Sequence, residues 1–195
     1  IKAALDDCPR EDHRHGIIHD CLPTPEGIQI CRDYHIQMPM QSAFIGWKQE
    51  PDDYLEHILG HDRLEKLNPI KTFRDNDIMV SFGSDAPCTT PAPIVWMDRA
   101  VNNGNAGQAV SVQDALRMCT YNGAWAAFDE RERGSLEAGK IADMAVLSEN
   151  PYTVPKDKLS CLRVERLYLG GKPYESCRES ILPMMLRGLT SRNKA

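Results

Sequence analysis

The stretch Ile78-Met79-Val80-Ser81-Phe82-Gly83-Ser84-Asp85 constrains this chain more than any other. An apolar run stops at a glycine, and a carboxylate follows at once, ahead of a loop rich in proline (Ala86-Pro87-Cys88-Thr89-Thr90-Pro91-Ala92-Pro93). A short buried strand that ends on an acid is how α/β barrels present reactive groups at one rim.

Its neighbours repeat the same order. Residues 15–19 (His-Gly-Ile-Ile-His) read as a strand closed by Asp20. Period-two geometry places His13, His15, Ile17 and His19 on one side and leaves His19 at the C-terminal end. Thr24 as N-cap and Pro25 at the first helical position start a helix to about Asp33. Residues 36–41 form the next strand, where Pro39 marks an irregularity. Gln41 closes it before a loop, 42–47, that could cover a pocket.

Helices follow at 51–59, ended by Gly60, and from Asn68-Pro69 to Asp75, which leads into the strand at 78–82. Residues 94–101 are helical, and Ser111 opens a capping box for a helix running to about Phe128. Three strand-then-helix units imply a parallel sheet with helices packed on it, an α/β fold. Residues 1–8 read as the end of a preceding helix.

From Gly134 the character changes. Residues 144–147 read as a short buried strand and 164–169 as a half-buried one, with Gly170-Gly171 as a hairpin turn. Residues 180–189 close the chain as a weakly amphipathic helix. The division is therefore 1–132 for the α/β part, 133–175 for a β appendage and 176–195 for a helical tail.

A length of 195 residues suits one domain with a small addition. A net charge of −5 without a Lys/Arg cluster argues against a nucleic-acid surface. No apolar run approaches the ~20 residues that span a bilayer. The seven cysteines are scattered without a CxxC pair, which reads as reduced thiols in the cytoplasm. Cys88, three residues after Asp85, is read as a plain loop cysteine.

His19 and Asp85 end strands of the first and third units, and in a parallel barrel both face one rim. An imidazole and a carboxylate suit a divalent, zinc-like ion, which polarises a carbonyl and brings the pKa of bound water to about 7. Asp85 could ligate the ion, accept the water's proton, or both. The alternative is a hydrogen-bonded His19 and an Asp85 that caps a turn. His13 and His15 lie at the entering end of their strand and are assigned to structure. His57 and His61 lack the adjacent glutamate of a helical zinc motif, and Gly60 ends the helix before His61. Residues 102–107 lack the lysine of a phosphate loop. Gln41 and Trp47 are candidate pocket-lining groups.

Taken in order, these segments resemble the C-terminal part of the amidohydrolase superfamily, in the family-3 branch with formamide deformylases and D-aminoacylase-like enzymes. The resemblance rests on His15-Gly16-Ile17-Ile18-His19-Asp20, Met40-Gln41-Ser42, Phe82-Gly83-Ser84-Asp85-Ala86-Pro87, Thr120-Tyr121-Asn122-Gly123-Ala124 and Gly134-Ser135-Leu136-Glu137-Ala138-Gly139-Lys140-Ile141-Ala142-Asp143. It implies about three C-terminal βα units of a TIM-type barrel and part of a small β-sandwich.

The resemblance also implies a metal-dependent hydrolase of amide or imide C–N bonds acting through activated water. His19 and Asp85 would ligate the metal, expected to be zinc, and Asp85 would activate the water. Ile18 and Ser42 depart from the family's usual Glu and Pro. The family's remaining ligands would lie before Ile1, so the chain is expected to be a fragment that is inactive alone, with a missing N-terminal segment or a homo-oligomeric partner. The alternative is a non-catalytic half-barrel that self-associates or binds a partner.

Overall fold

The computed structural model describes residues 1–174. The tail 176–195 and its expected helix at 180–189 lie outside the described residues. The helices are α1 (Lys2–Asp7), α2 (Pro25–Asp33), α3 (Asp52–Leu59), α4 (His61–Leu64), α5 (Ile70–Asp75), α6 (Pro93–Val101), α7 (Val112–Cys119) and α8 (Tyr121–Ala126). The strands are β1 (Met38–Met40), β2 (Val80–Phe82), β3 (Met144–Leu147), β4 (Val164–Leu169) and β5 (Lys172–Pro173).

β1 and β2 pair in parallel, Met38 opposite Val80 and Met40 opposite Phe82. The strand expected at 15–19 runs beside β1 but is reduced to a single bridge, Gly16 to Gln37. Proline chemistry explains the reduction. Gln37 N–H donates to the His15 carbonyl (2.9 Å), Ile17 N–H to the Gln37 carbonyl (3.0 Å) and His19 N–H to the Pro39 carbonyl (3.2 Å). The donor that should complete this ladder belongs to position 39, and proline has none.

Alternation along β1 and β2 separates two faces. Met38, Met40 and Val80 are buried against Ile70 and Phe73 of α5, Met97 and Ala100 of α6, and Ala115 and Met118 of α7. Each large side chain so buried stabilises the fold by about 1.5–3 kcal/mol. The other face carries Gln37, Gln41 and Ser81, all buried and all polar.

Local chemistry sets the helix ends. Thr24 Oγ1 accepts the Gly27 N–H (3.0 Å), and Ser111 Oγ accepts that of Asp114 (3.0 Å). Gly60, at φ 78°, separates α3 from α4, so His57 and His61 do not share a helix. The single helix expected from Ser111 to Phe128 is instead two. Thr120 takes φ −124° and ψ −89°, and its hydroxyl donates back to the Leu116 carbonyl (2.7 Å). The break lets Asn122, buried on α8, donate Nδ2–H to the Val80 carbonyl (2.6 Å).

A clasp joins the two ends of this α/β part. The Arg14 guanidinium makes paired hydrogen bonds with Glu130 (2.8 and 2.8 Å) and with Asp12 (2.8 and 2.9 Å). It also lies over the rings of Trp125 (4.5 Å) and Phe128 (4.1 Å). Hydrogen bonding to Arg14 holds the Glu130 carboxyl well below its ordinary range, at about 2.

β3, β4 and β5 form an antiparallel three-stranded sheet. Burial here differs from expectation: Val146, Val164 and Leu169 are exposed, because no second layer covers them among the described residues. The segment between β3 and β4 is anchored nonetheless, since Leu159 and Leu162 enter the main core. No helix of the described residues is long and apolar enough to cross a membrane.

Candidate active site

The site lies where the segment after Gly16 and the loop after β2 come together. His19 has left the extended conformation: its φ is 75°, and Asp20 follows at 30°. Asp85 is likewise left-handed, at φ 52°. Backbone of this kind is uncommon outside glycine, and Asp tolerates it better than most residues. Gly83, by contrast, does not take a left-handed φ, and a Cβ there would meet only Gln41 Nε2 at 3.6 Å. The unusual backbone therefore belongs to the acid rather than to the glycine before it.

The loop around Asp85 is closed by its own polar groups. Ser84 Oγ accepts the Ala86 N–H (3.1 Å), and the Cys88 N–H donates to the Asp85 carbonyl (2.8 Å). The Thr89 hydroxyl donates to the Ser84 carbonyl. These contacts aim the Asp85 carboxylate at His19, with Oδ2 3.8 Å from Nε2. That separation is too long for a hydrogen bond. Both side chains remain open to solvent, at 42% and 43% exposure. An imidazole and a carboxylate that face each other unbonded form a donor pair suited to a shared cation.

Phe44 walls the site. Its ring stacks on that of His19 at 5.8 Å, and Trp47 packs on Phe44 in a tilted arrangement at 5.1 Å. Trp47 is thus connected to the pair through Phe44. Gln41 is buried beside Gly83, and its Oε1 has no partner among the described residues. Burial raises the Asp20 carboxyl above its ordinary range.

Sequence reasoning missed Phe44 and Asp20. The only signal for Phe44 was an aromatic residue within the loop after Gln41, and for Asp20 its adjacency to a strand-terminal histidine. His13 has a structural role: its Nδ1 accepts the His15 N–H (2.9 Å), leaving Nε2 to donate to the Tyr34 carbonyl (2.8 Å). No group of three or more His, Cys, Asp or Glu side chains is placed to hold a metal among the described residues.

Residues 1–174 match the amidohydrolase family along their whole length. The chain belongs to that family. Among family relatives, it is 33% identical over 152 residues to an N-substituted formamide deformylase of Arthrobacter pascens, covering 74% of this chain and 26% of the relative. It is 26% identical over 180 residues to the putative amidohydrolase YtcJ of Bacillus subtilis, covering 87% of this chain and 34% of the relative. The matched region thus spans between a quarter and about a third of these curated relatives.

Solved structures share the fold. A metal-dependent hydrolase from Pyrococcus furiosus superposes with a TM-score of 0.65 at 22% identity, covering 78% of this chain and 31% of that one. An adenosine deaminase from Xanthomonas campestris, solved with bound zinc, gives 0.63 at 18% identity, covering 98% and 45%. The amidohydrolase family and these neighbours make the architecture α/β and the parent family one of hydrolases, with metal-dependent enzymes among those sharing its fold.

Proposed function

We propose that the chain carries the C-terminal βα units, about three, of a TIM-type metal-dependent hydrolase acting on non-peptide C–N bonds of amides or imides. Residues 1–132 belong to the barrel and 133–175 to part of a β-sandwich beside it. The observation that carries this reading is the His19–Asp85 pair, drawn together from positions 66 apart in the sequence and left facing at 3.8 Å without a mutual hydrogen bond.

His19 Nε2 and the Asp85 carboxylate are the residues that would hold a divalent metal, zinc by their donor chemistry. When bound, such an ion would polarise the substrate carbonyl and acidify a water. Asp85 takes the proton that water gives up on attacking the carbonyl carbon, and passes it to the leaving nitrogen as the C–N bond breaks. Gln41, with an unpartnered buried oxygen, lies beside Gly83 to orient a substrate N–H. Phe44 and Trp47 supply an apolar wall.

Two protein donors fall short of the three usual at a catalytic zinc. The chain alone therefore binds zinc weakly and turns over poorly, and activity belongs to the longer protein. Its six described cysteines are all unpaired, in keeping with a reducing cytoplasm.

Zinc titration by calorimetry tests the pair: His19→Ala and Asp85→Asn should each abolish binding with the fold intact by circular dichroism. In the parent protein, Asp85→Asn should lower hydrolysis of an N-substituted formamide by about 10²–10⁴-fold. Unchanged zinc binding in both variants would defeat the proposal.

A further inference from the structure

The imidazole of His19 has to be held at a fixed angle if Nε2 is to face Asp85, and hydrogen bonding does not hold it. Neither ring nitrogen makes a hydrogen bond among the described residues, and the Asp85 carboxylate stands off at 3.8 Å. His13 shows the contrast, with both ring nitrogens bonded to backbone at 2.9 and 2.8 Å. A histidine that ligates a metal through one nitrogen ordinarily donates its other N–H to a carboxylate or carbonyl, and that bond sets the ring's orientation. His19 has no such bond.

The ring of Phe44 stands in that place. It lies 5.8 Å from the His19 ring, centroid to centroid, with 27° between the planes, within the range of offset aromatic pairs. Phe44 is itself held. Its turn, Ser42–Phe44, is pinned to α6 by the Ser42 hydroxyl, which donates to the Trp96 carbonyl (2.9 Å). Ser42 and Ala43 are buried. The Phe44 N–H donates to the Gln41 carbonyl (3.0 Å), and the Phe44 carbonyl accepts the Trp47 N–H (3.2 Å). Support therefore runs from α6 through the turn to Phe44, and from Phe44 to the imidazole.

We propose that Phe44 is a positioning residue: by stacking on His19 it fixes the imidazole with Nε2 toward Asp85, the role a hydrogen-bonding partner fills at other histidine ligands. The proposal rests on the reading that His19 and Asp85 hold a divalent cation. A stack acts through ring geometry as well as apolar bulk, so an aliphatic side chain of similar size does not replace it. Without the stack the imidazole is free to rotate, and that freedom is lost each time a metal binds.

Proton NMR of the metal-free full chain at about pH 8, where an ordinary histidine is neutral, reads the stack directly. The His19 ring protons should show nuclear Overhauser contacts to the Phe44 ring and a ring-current displacement of their shifts. Phe44→Leu should remove both, whereas Phe44→Tyr, which keeps the ring, should retain them. Zinc titration of the same three proteins should show affinity lowered about 2–10-fold in Phe44→Leu and restored in Phe44→Tyr. A merely structural Phe44 would lower the urea midpoint of Phe44→Leu and leave the zinc affinity of the folded protein unchanged. Identical His19 shifts in the wild type and Phe44→Leu would overturn the proposal whatever the zinc result, as would equal zinc affinity in those two proteins. A wild type that shows the stack but takes up no zinc would overturn the metal reading, and the positioning role with it.

Discussion

Replacing Gly16 with alanine should separate the His19 segment from the sheet. A Cβ at Gly16 would stand 2.9 Å from Gln37 Cγ, 3.1 Å from the Gln37 carbonyl oxygen and 3.2 Å from Pro39 Cδ. The first contact could swing away, but Gln37 Nε2 is tied to the Arg14 carbonyl at 2.5 Å. The second is backbone, and it already accepts the Ile17 N–H at 3.0 Å. Overpacking of this kind costs about 1–3 kcal/mol. Alanine returns about 0.4–1 kcal/mol by restricting the unfolded chain. The net loss is therefore up to about 2.6 kcal/mol, and the gap to a glycine that has only the second effect is about 1–3 kcal/mol.

Gly104→Ala is the matched control, since nothing lies within 4 Å of its Cβ position and only the favourable unfolded-chain effect remains. Urea denaturation of both variants measures the difference, and hydrogen exchange at the His19 amide shows whether its bond to Pro39 opens. A Gly16→Ala protein as stable as Gly104→Ala, with His19 still protected, would refute the packing argument.

The Glu130 carboxyl, held at about 2 against an ordinary 4.5, contributes stability that is complete above pH ~4.5 and is lost as pH falls through 2. The melting-temperature gap between the wild type and Glu130→Gln should accordingly shrink between pH 5 and pH 2; a constant gap would rule out the ion pair as its source. Asp85→Asn should match the wild type in urea, whereas Asp85→Val should lose about 1–2 kcal/mol at the left-handed φ. Equal midpoints for Asn and Val would show that the backbone there relaxes freely.

The strand before Asp85, the turn after Gln41 and the helix at Ser111 were legible because each depends on local chemistry: an apolar run, a loop signal, a hydroxyl three residues before an N–H. The strand at 15–19 was legible as a partner of β1 but not as the single bridge it is. Its continuity depended on a donor that Pro39, some twenty residues away, cannot supply. The break at Thr120 was hidden because Cys119 and Ala126 extend the apolar stripe across it, and the hydroxyl that back-bonds to Leu116 looks the same in a continuous helix. Trp47 was named from the sequence as a pocket-lining candidate, and the structure places it on Phe44, whereas Phe44's contact with His19 is fixed by tertiary packing.

The Arg14 clasp bears on the order in which the molecule assembles. It joins residues 116 apart, and closing a flexible loop of that length costs about 4 kcal/mol in chain entropy alone. The guanidinium can settle between Trp125 and Phe128 only after the core around Phe73 and Met97 has already brought the two ends near each other. The segment that carries His19 is then among the last to become ordered, and quenching of Trp125 in stopped-flow refolding should trail core formation. His19 of the candidate site thus waits on a helix that is made about a hundred residues after it.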